Sequence, residues 1–271
     1  MSLPLEDSFV DVLGKAQRGL KFTDEQLSAA AILPLTDLYA AQQGEVKESV
    51  LRAIAIPLQL NADAFVALAL KKSTPAVVPF VEGLRQYNTP YGDMTVNSYL
   101  VWDPVEKIGA TFDTGADCSA MLKDIESLGL QIPFILLTHT HVDHIADLTK
   151  LKNATGARVA VAREEAVGNV EAFAEGHIYS LGGLVIETRL TSGHSRGGTT
   201  YLIKGLSQPV AIVGDAIFSR SMGGANTAYA EAIQNNLKKI YSLPENTILC
   251  PGHGPMTTVG DEKKFNPFYT I

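Results

Sequence analysis

Four side chains that bind metal ions stand together in one short segment. His139, His141, Asp143 and His144 follow the apolar run at residues 134–137, which is typical of a buried strand. Alternate residues of an extended chain point to the same side, so His139 and His141 can bind one ion, whereas on a helix they would diverge by about 200°. Asp143 and His144 follow where the chain can turn toward a second ion. The segment therefore predicts a centre for two metal ions.

Three more candidate ligands occur later in the chain, each just after an apolar strand pattern. They are His194, Asp215 and His253, and each has a neighbouring glycine that lets the backbone turn and a substrate approach. Hydrolysis by two metals needs such ligands, a bridging anion and an open position for water. The sixth histidine, His177, has no companion ligand and is expected to be an ordinary surface or partly buried residue.

The elements that must position these ligands fall into two parts. Residues 5–72 lack strand-like alternation and are predicted as several short helices. From residue 76 onward, apolar strand patterns are separated by helical ones, which is typical of a layered α/β fold. We therefore expect a helical N-terminal unit over residues 1–74 and a catalytic domain of the α/β class over residues 75–271.

Local signals mark individual elements in both parts. Thr23 and Gln26 form the pattern of a capping box, and Asn61 can cap the last helix of the N-terminal unit. In the second part, the pattern of apolar residues predicts a strand over residues 77–87 and a helix over residues 229–241.

Composition disfavours several other classes of protein. A net charge of -7 argues against a broad surface for nucleic acid, and no apolar run approaches the roughly 20 residues of a membrane-spanning helix. The first residues are acidic, unlike a secretory signal, and the two cysteines suggest no disulfide framework. We expect a cytoplasmic protein that acts on a small molecule, with neither nucleic acid nor a membrane as a partner.

The ligand motifs, in their order along the chain, resemble those of the metallo-β-lactamase superfamily. They are His-x-His-x-Asp-His at residues 139–144, Thr-Ser-Gly-His at 191–194, Gly-Asp at 214–215 and Pro-Gly-His-Gly-Pro at 251–255. The residues that follow the last motif are similar to the glyoxalase II-type bacterial branch. The resemblance covers residues 76–271 and implies an αβ/βα four-layer sandwich, with metals in a cleft at one edge of the two sheets.

The resemblance also implies a role for each ligand. One ion would take His139, His141 and His194, the other would take Asp143, His144 and His253, and Asp215 would bridge them. Asp143 would handle a proton as well, and Asp113 resembles the acid that orients a ligand imidazole through its distal N–H. A turn-capping role before Gly115 is the alternative for Asp113. Zinc is the first choice of metal, while iron and manganese accept the same ligands.

The predicted activity is that of a binuclear metal-dependent hydrolase. A hydroxide that bridges the metals would cleave a small carboxylic ester, with a thioester or lactone as the first choice. Three alternatives remain open. A phosphodiesterase or nuclease would use the same ions but usually needs a basic rim. A one-iron oxidase such as a persulfide dioxygenase would use only His139, His141 and Asp215, and a metal-sensing regulator would need DNA-binding helices.

Residues 22–70 loosely resemble the Cro/C1-type helix-turn-helix of bacterial repressors. A recognition helix needs side chains that read bases and bind phosphate, yet residues 35–43 contain no lysine or arginine. Acidic residues also outnumber basic ones in this unit, so its attraction to phosphate is poor. We expect a structural, dimerising or substrate-covering role, with a homodimer as one such arrangement, rather than DNA binding.

Overall fold

Two six-stranded sheets form the centre of the fold in the computed structural model, which describes residues 3–166, 168 and 170–270. The strands are β1 (Leu84–Tyr91), β2 (Met94–Trp102), β3 (Ile108–Phe112), β4 (Gln131–Leu136), β5 (Arg158–Ala162), β6 (Glu171–Phe173), β7 (Ile178–Leu181), β8 (Leu184–Leu190), β9 (Thr199–Lys204), β10 (Val210–Gly214), β11 (Ile248–Pro251) and β12 (Thr257–Thr258). The helices are α1 (Phe9–Gly19), α2 (Asp24–Ala31), α3 (Leu35–Gln42), α4 (Glu48–Ala55), α5 (Ala62–Ala69), α6 (Ser119–Leu128), α7 (Leu148–Thr155), α8 (Tyr229–Asn235) and α9 (Val259–Phe265).

The direction of the strands determines which loops can meet. One sheet has the order β1-β2-β3-β4-β5-β6, and the other has the order β12-β11-β10-β9-β8-β7. β3 and β4 are parallel, as are β10 and β11. β9 is antiparallel to both β8 and β10, so β8 runs in the same direction as β10. Within each sheet, the loops that follow these strands therefore emerge at one edge, where α/β folds commonly place their sites.

Alternation along the strands produces four layers. In β4, Phe134 and Leu136 face the core between the sheets, whereas Ile135 contributes to an outer core with α6 and α7. On the far side, Val259 of α9 and Ile240 after α8 cover the second sheet. The predicted αβ/βα sandwich is confirmed.

The N-terminal region is helical, as predicted, and consists of α1 to α5. Thr23 and Gln26 form the expected capping box at α2, and the Asn61 side chain accepts a hydrogen bond from the Ala64 amide at 3.1 Å. Residues 72–81 lie outside helices and strands, and the boundary at residue 74 stays a prediction. In the described ranges, each helix is too short or too polar to cross a membrane.

A buried ion pair joins the segment before β1 to the last helix. The guanidinium of Arg220 donates to the carboxylates of Glu262 and Asp261, each at 2.6 Å, and to the carbonyl oxygens of Ser73 and Thr74 at 3.3 and 3.4 Å. The side chains of Arg220 and Glu262 are both 0% exposed. Removal of one partner would leave a buried charge without compensation.

We expect Arg220→Met to lower the free energy of unfolding by about 3–5 kcal/mol, because Glu262 would remain buried and unpaired. Urea denaturation measures this change. The control is Arg158→Met, whose partner Glu171 lies 3.1 Å away on an exposed surface, so its effect should stay below about 1 kcal/mol. Equal effects of the two substitutions would contradict the role assigned to the buried pair.

Candidate metal centre

All seven predicted ligands lie on loops that follow strands. His139, His141, Asp143 and His144 follow β4, His194 follows β8, Asp215 follows β10, and His253 follows β11. The loops bring them into three groups whose ligand atoms lie within 4.8 Å of one another, namely His139, His141 and His194; His139, His144 and Asp215; and Asp143, His144 and His253. His177 belongs to none of the groups found among the described residues. The fold thus brings together side chains that are distant in sequence.

Three imidazoles form one half of the centre. His139 Nε2 lies 3.0 Å from His141 Nδ1, and His141 Nδ1 lies 3.0 Å from His194 Nε2. Nitrogens bound to one tetrahedral zinc ion lie about 3.4 Å apart, given bond lengths of about 2.0 to 2.1 Å. The observed spacing is slightly tighter and requires only a small expansion to admit one ion.

Asp143, His144 and His253 form the other half. Asp143 Oδ2 lies 3.5 Å from His144 Nε2 and 3.3 Å from His253 Nε2. Asp215 contacts both halves, since its Oδ2 is 3.3 Å from His194 Nε2 while its Oδ1 is 3.3 Å from His144 Nε2. The Asp215 carboxylate therefore lies between the two groups.

Four of the five imidazoles have an oxygen partner at the ring nitrogen that points away from the centre. The pairs are His139 Nδ1 with Thr138 Oγ1 at 3.0 Å, His144 Nδ1 with Asp113 Oδ2 at 2.8 Å, His194 Nδ1 with Gly224 O at 2.9 Å, and His253 Nδ1 with Thr95 O at 2.7 Å. A neutral imidazole that donates from one nitrogen carries a lone pair on the other. These hydrogen bonds therefore direct four Nε2 lone pairs into the centre.

The chemistry of these side chains suits a positively charged partner. His144 Nε2 and Asp215 Oδ1 are buried and have no hydrogen-bond partner among the described residues. Buried polar atoms without a partner are costly in an interior, and converging lone pairs and carboxylates repel one another. Imidazole and carboxylate are ligands suited to zinc, iron or manganese. The residues present therefore fit a divalent metal centre.

The pKa values of two of the imidazoles, His144 and His253, show the same negative potential. Burial lowers the pKa of His144, but the carboxylates of Asp215 and Asp113 outweigh this effect and raise it to about 10. Burial is likewise outweighed at His253, where Asp143 and Asp215 raise the pKa to about 11. The acidic groups thus attract positive charge, and metal binding at these imidazoles would displace protons.

Asp113 supports the ligands from the end of β3. Its Oδ1 accepts a hydrogen bond from the Thr138 amide, and its Oδ2 accepts one from the Thr138 hydroxyl, both at 2.7 Å. The same Oδ2 accepts from His144, as described above, and the Thr138 hydroxyl accepts from His139. The carboxylate therefore faces the ligand loop instead of capping the turn before Gly115.

Several supporting groups were not identified from the sequence. The carbonyl oxygens of Thr95 and Gly224 orient two imidazoles, but every residue has a carbonyl, so no sequence signal marks them. Glu165 accepts hydrogen bonds from the Thr140 hydroxyl at 2.6 Å and the Gly197 amide at 2.9 Å. It thereby joins the ligand loop after β4 to the loop that follows β8, a contact that depends on the tertiary fold.

A cleft opens onto the first group of imidazoles. It has a volume of about 480 Å³, and His141 and His194 form part of its wall. The charged side chains around it are Glu164, Glu165, Glu231 and Arg196. Carboxylates therefore outnumber cations at the mouth, which disfavours polyanionic ligands.

Comparison with known proteins extends these findings. The sequence profile of the metallo-beta-lactamase superfamily matches residues 91–253, which include all seven grouped side chains. The hydroxyacylglutathione hydrolase GloC of Haemophilus influenzae is 29% identical over 197 residues, which are 64% of this chain and 92% of that protein. A beta-lactamase hydrolase-like protein of Xylella fastidiosa is 32% identical over 211 residues, but the match spans only 48% of its length.

Solved structures have the same fold. The crystal structure of TTHA1623 in a di-iron-bound form superimposes with a TM-score of 0.54 and 26% sequence identity, covering 67% of this chain and 99% of that one. The similarity therefore covers about two thirds of this chain and supports the fold described above.

Proposed function

The chain belongs to the metallo-β-lactamase superfamily, and on that basis we propose that it is a binuclear metal-dependent hydrolase of small carboxylic esters, with thioesters or lactones as its substrates. The observation that carries this proposal is the position of the Asp215 carboxylate, which lies 3.3 Å from His144 Nε2 and 3.3 Å from His194 Nε2 and so contacts both groups of ligands. A site for a single ion would need fewer ligands, and it would not need a carboxylate that contacts two groups of ligands.

The proposed ligands follow from the distances. His139, His141 and His194 would hold one ion, Asp143, His144 and His253 would hold the other, and Asp215 would contact both. Divalent ions in such a site polarise a carbonyl group and make water acidic enough to ionise near neutral pH. Zinc is our first choice of metal. Iron is the alternative, because TTHA1623 has been solved in a di-iron-bound form.

Protein side chains would transfer the proton and orient the metal ligands. The carboxylate of Asp143 lies at the centre, 3.3 Å from His253 Nε2, where it can accept the proton that the attacking water releases and pass it to the leaving group. Asp113 and the carbonyl oxygens of Thr95 and Gly224 keep three imidazole rings in one orientation. Ligands fixed in this way need little reorganisation during the reaction.

The cleft supports the choice of substrate class. Three carboxylates and one guanidinium surround an opening of about 480 Å³, which suits a small ester better than a nucleic acid or another polyanion. GloC of Haemophilus influenzae is named as a hydroxyacylglutathione hydrolase, which supports a thioester. We accordingly propose a small-molecule substrate, with no nucleic acid or membrane as a partner and with the cytoplasm as the place of action.

Metal analysis combined with a substrate panel tests this function. We expect two ions per chain and turnover of thioesters or lactones that a chelator abolishes and added metal restores. Phosphodiesters should be cleaved at least about a hundredfold less efficiently, because the cleft is acidic. Preferential phosphodiester cleavage would favour the nuclease alternative. Full activity with one iron per chain would favour the oxidase-like arrangement.

A further inference from the structure

The N-terminal helices share a hydrophobic core with the loop that follows β10. Buried residues of α1 to α5 pack in one cluster with Met222, Ala225, Tyr229, Ala232 and Phe268. The Asn61 amide also donates to the carbonyl oxygen of Pro267 at 2.8 Å. The helical unit is therefore packed firmly against the part of the chain that carries Asp215.

Lys15 of α1 makes the polar contact across this interface. Its ammonium binds the carboxylate of Asp7 and donates to the carbonyl oxygen of Met222 at 2.9 Å. It also lies 4.8 Å from the centre of the Phe218 ring. The side chains of Lys15 and Asp7 are only 14% and 9% exposed. Charged groups so far from water need partners, so this geometry is well defined.

The residues that Lys15 contacts lie directly against proposed metal ligands. After Met222, the Gly223 amide donates to the carbonyl oxygen of Asp215 at 3.1 Å, and the Gly224 carbonyl accepts the hydrogen bond from His194. A Cβ on Gly223 would lie 2.1 Å from that Asp215 oxygen and 2.8 Å from His194 Nδ1, so the loop has no spare room here.

A second contact runs through Phe218. Its ring centre lies 5.4 Å from that of His253, in an edge-to-face arrangement. Lys15 thus contacts Phe218, which packs against the His253 ring, and Met222, which precedes the two glycines that hydrogen-bond to Asp215 and His194. His253 and His194 belong to opposite halves of the centre.

We propose that Lys15 is a positioning residue for the metal centre, and that the N-terminal helical unit acts through it to fix His194, Asp215 and His253. The inference rests on the proposed function, since it requires those side chains to bind metal. Lys15 itself contacts no proposed ligand, so it acts only by holding the loop and the Phe218 ring in place. Groups that hydrogen-bond metal ligands directly commonly change metal affinity by about tenfold to a hundredfold, so we expect a group one contact further away to change it by about threefold to tenfold.

Zinc affinity of the full chain tests the proposal. Lys15→Met keeps the aliphatic stem but removes the ammonium, and we expect its zinc Kd, measured by competition with a chromophoric chelator, to rise about threefold to tenfold. The matched control is Lys47→Met, which breaks an ion pair with Asp37 in the same helical unit, where both side chains are more exposed. Its zinc Kd should equal that of the parent.

Urea unfolding of the metal-free proteins separates positioning from simple stabilisation. A folded Lys15→Met protein with a lower urea midpoint but the parental zinc Kd would overturn the proposal. If Lys15→Met does not fold, Lys15→Gln takes its place, because its shorter neutral amide removes the ammonium from Met222 and Phe218 but leaves a polar group beside Asp7. A weaker zinc Kd in Lys15→Gln supports the inference, and an unchanged Kd overturns it. A parent chain that binds no zinc, iron or manganese would instead refute the proposed function.

Discussion

Asp215→Asn is expected to lose tight binding of both metal ions and to lower kcat by about a thousandfold or more, which corresponds to a loss of about 4 kcal/mol of transition-state stabilisation. The carboxylate lies 3.3 Å from His144 Nε2 and 3.3 Å from His194 Nε2, in different halves of the centre. Asparagine has the same shape, but it is neutral and would turn one oxygen into an N–H donor. The two halves of the centre would then lose the negative charge of the carboxylate that contacts both of them.

Metal content after gel filtration and kcat with saturating substrate measure this effect. Asp124→Asn makes the same chemical change at an ion pair with Arg85 on the surface, and it should keep two ions and parental turnover. An Asp215→Asn protein that retains two ions and full kcat would show that the carboxylate is not shared. The proposal for two metals would then lose the observation that carries it.

Asp143→Asn is expected to lower kcat by about 10² to 10⁴-fold, even when metal is added to saturation. The carboxylate serves as a proposed ligand through an oxygen 3.5 Å from His144 Nε2 and 3.3 Å from His253 Nε2. It is also the group proposed to hold a proton at the centre, and an amide cannot do so. The loss should therefore persist after metal binding has been restored.

The measurement is kcat at increasing metal concentration, which distinguishes weak binding from lost proton transfer. His177→Ala should behave as the parent, because this imidazole is exposed and packs against Tyr179 outside the ligand groups. Recovery of parental kcat in Asp143→Asn at high metal concentration would leave Asp143 as a ligand only.

Local sequence patterns predicted many helices and strands, because the interactions that start or end these elements join residues that are close in the chain. The capping box of Thr23 and Gln26 places its partners three residues apart, so the start of α2 follows from the sequence. A similar box at Ser8 was not identified, since Asp11 stands where the usual pattern has Glu or Gln. The predicted helix over residues 229–241 is regular only to Asn235 and continues as a π-helical turn.

The strand predicted over residues 77–87 is wrong in its first part. β1 begins at Leu84, while Val77 and Phe80 are 93% and 88% exposed. Alternating apolar residues favour a strand only when a neighbouring strand supplies hydrogen bonds and a buried face. The sequence pattern around Val77 contains no information about such a neighbour.

The sequence alone predicted the fold class and the residues of the candidate centre, because strand alternation and the ligand motif are short-range features. Alternation sets which strand residues are buried, and the motif at residues 139–144 carries its ligands on a few consecutive positions. Only the tertiary structure decided which oxygen orients each imidazole, and that Lys15 lies beside Met222 although 207 positions separate them. Such contacts depend on how whole layers pack, and no local pattern specifies that packing.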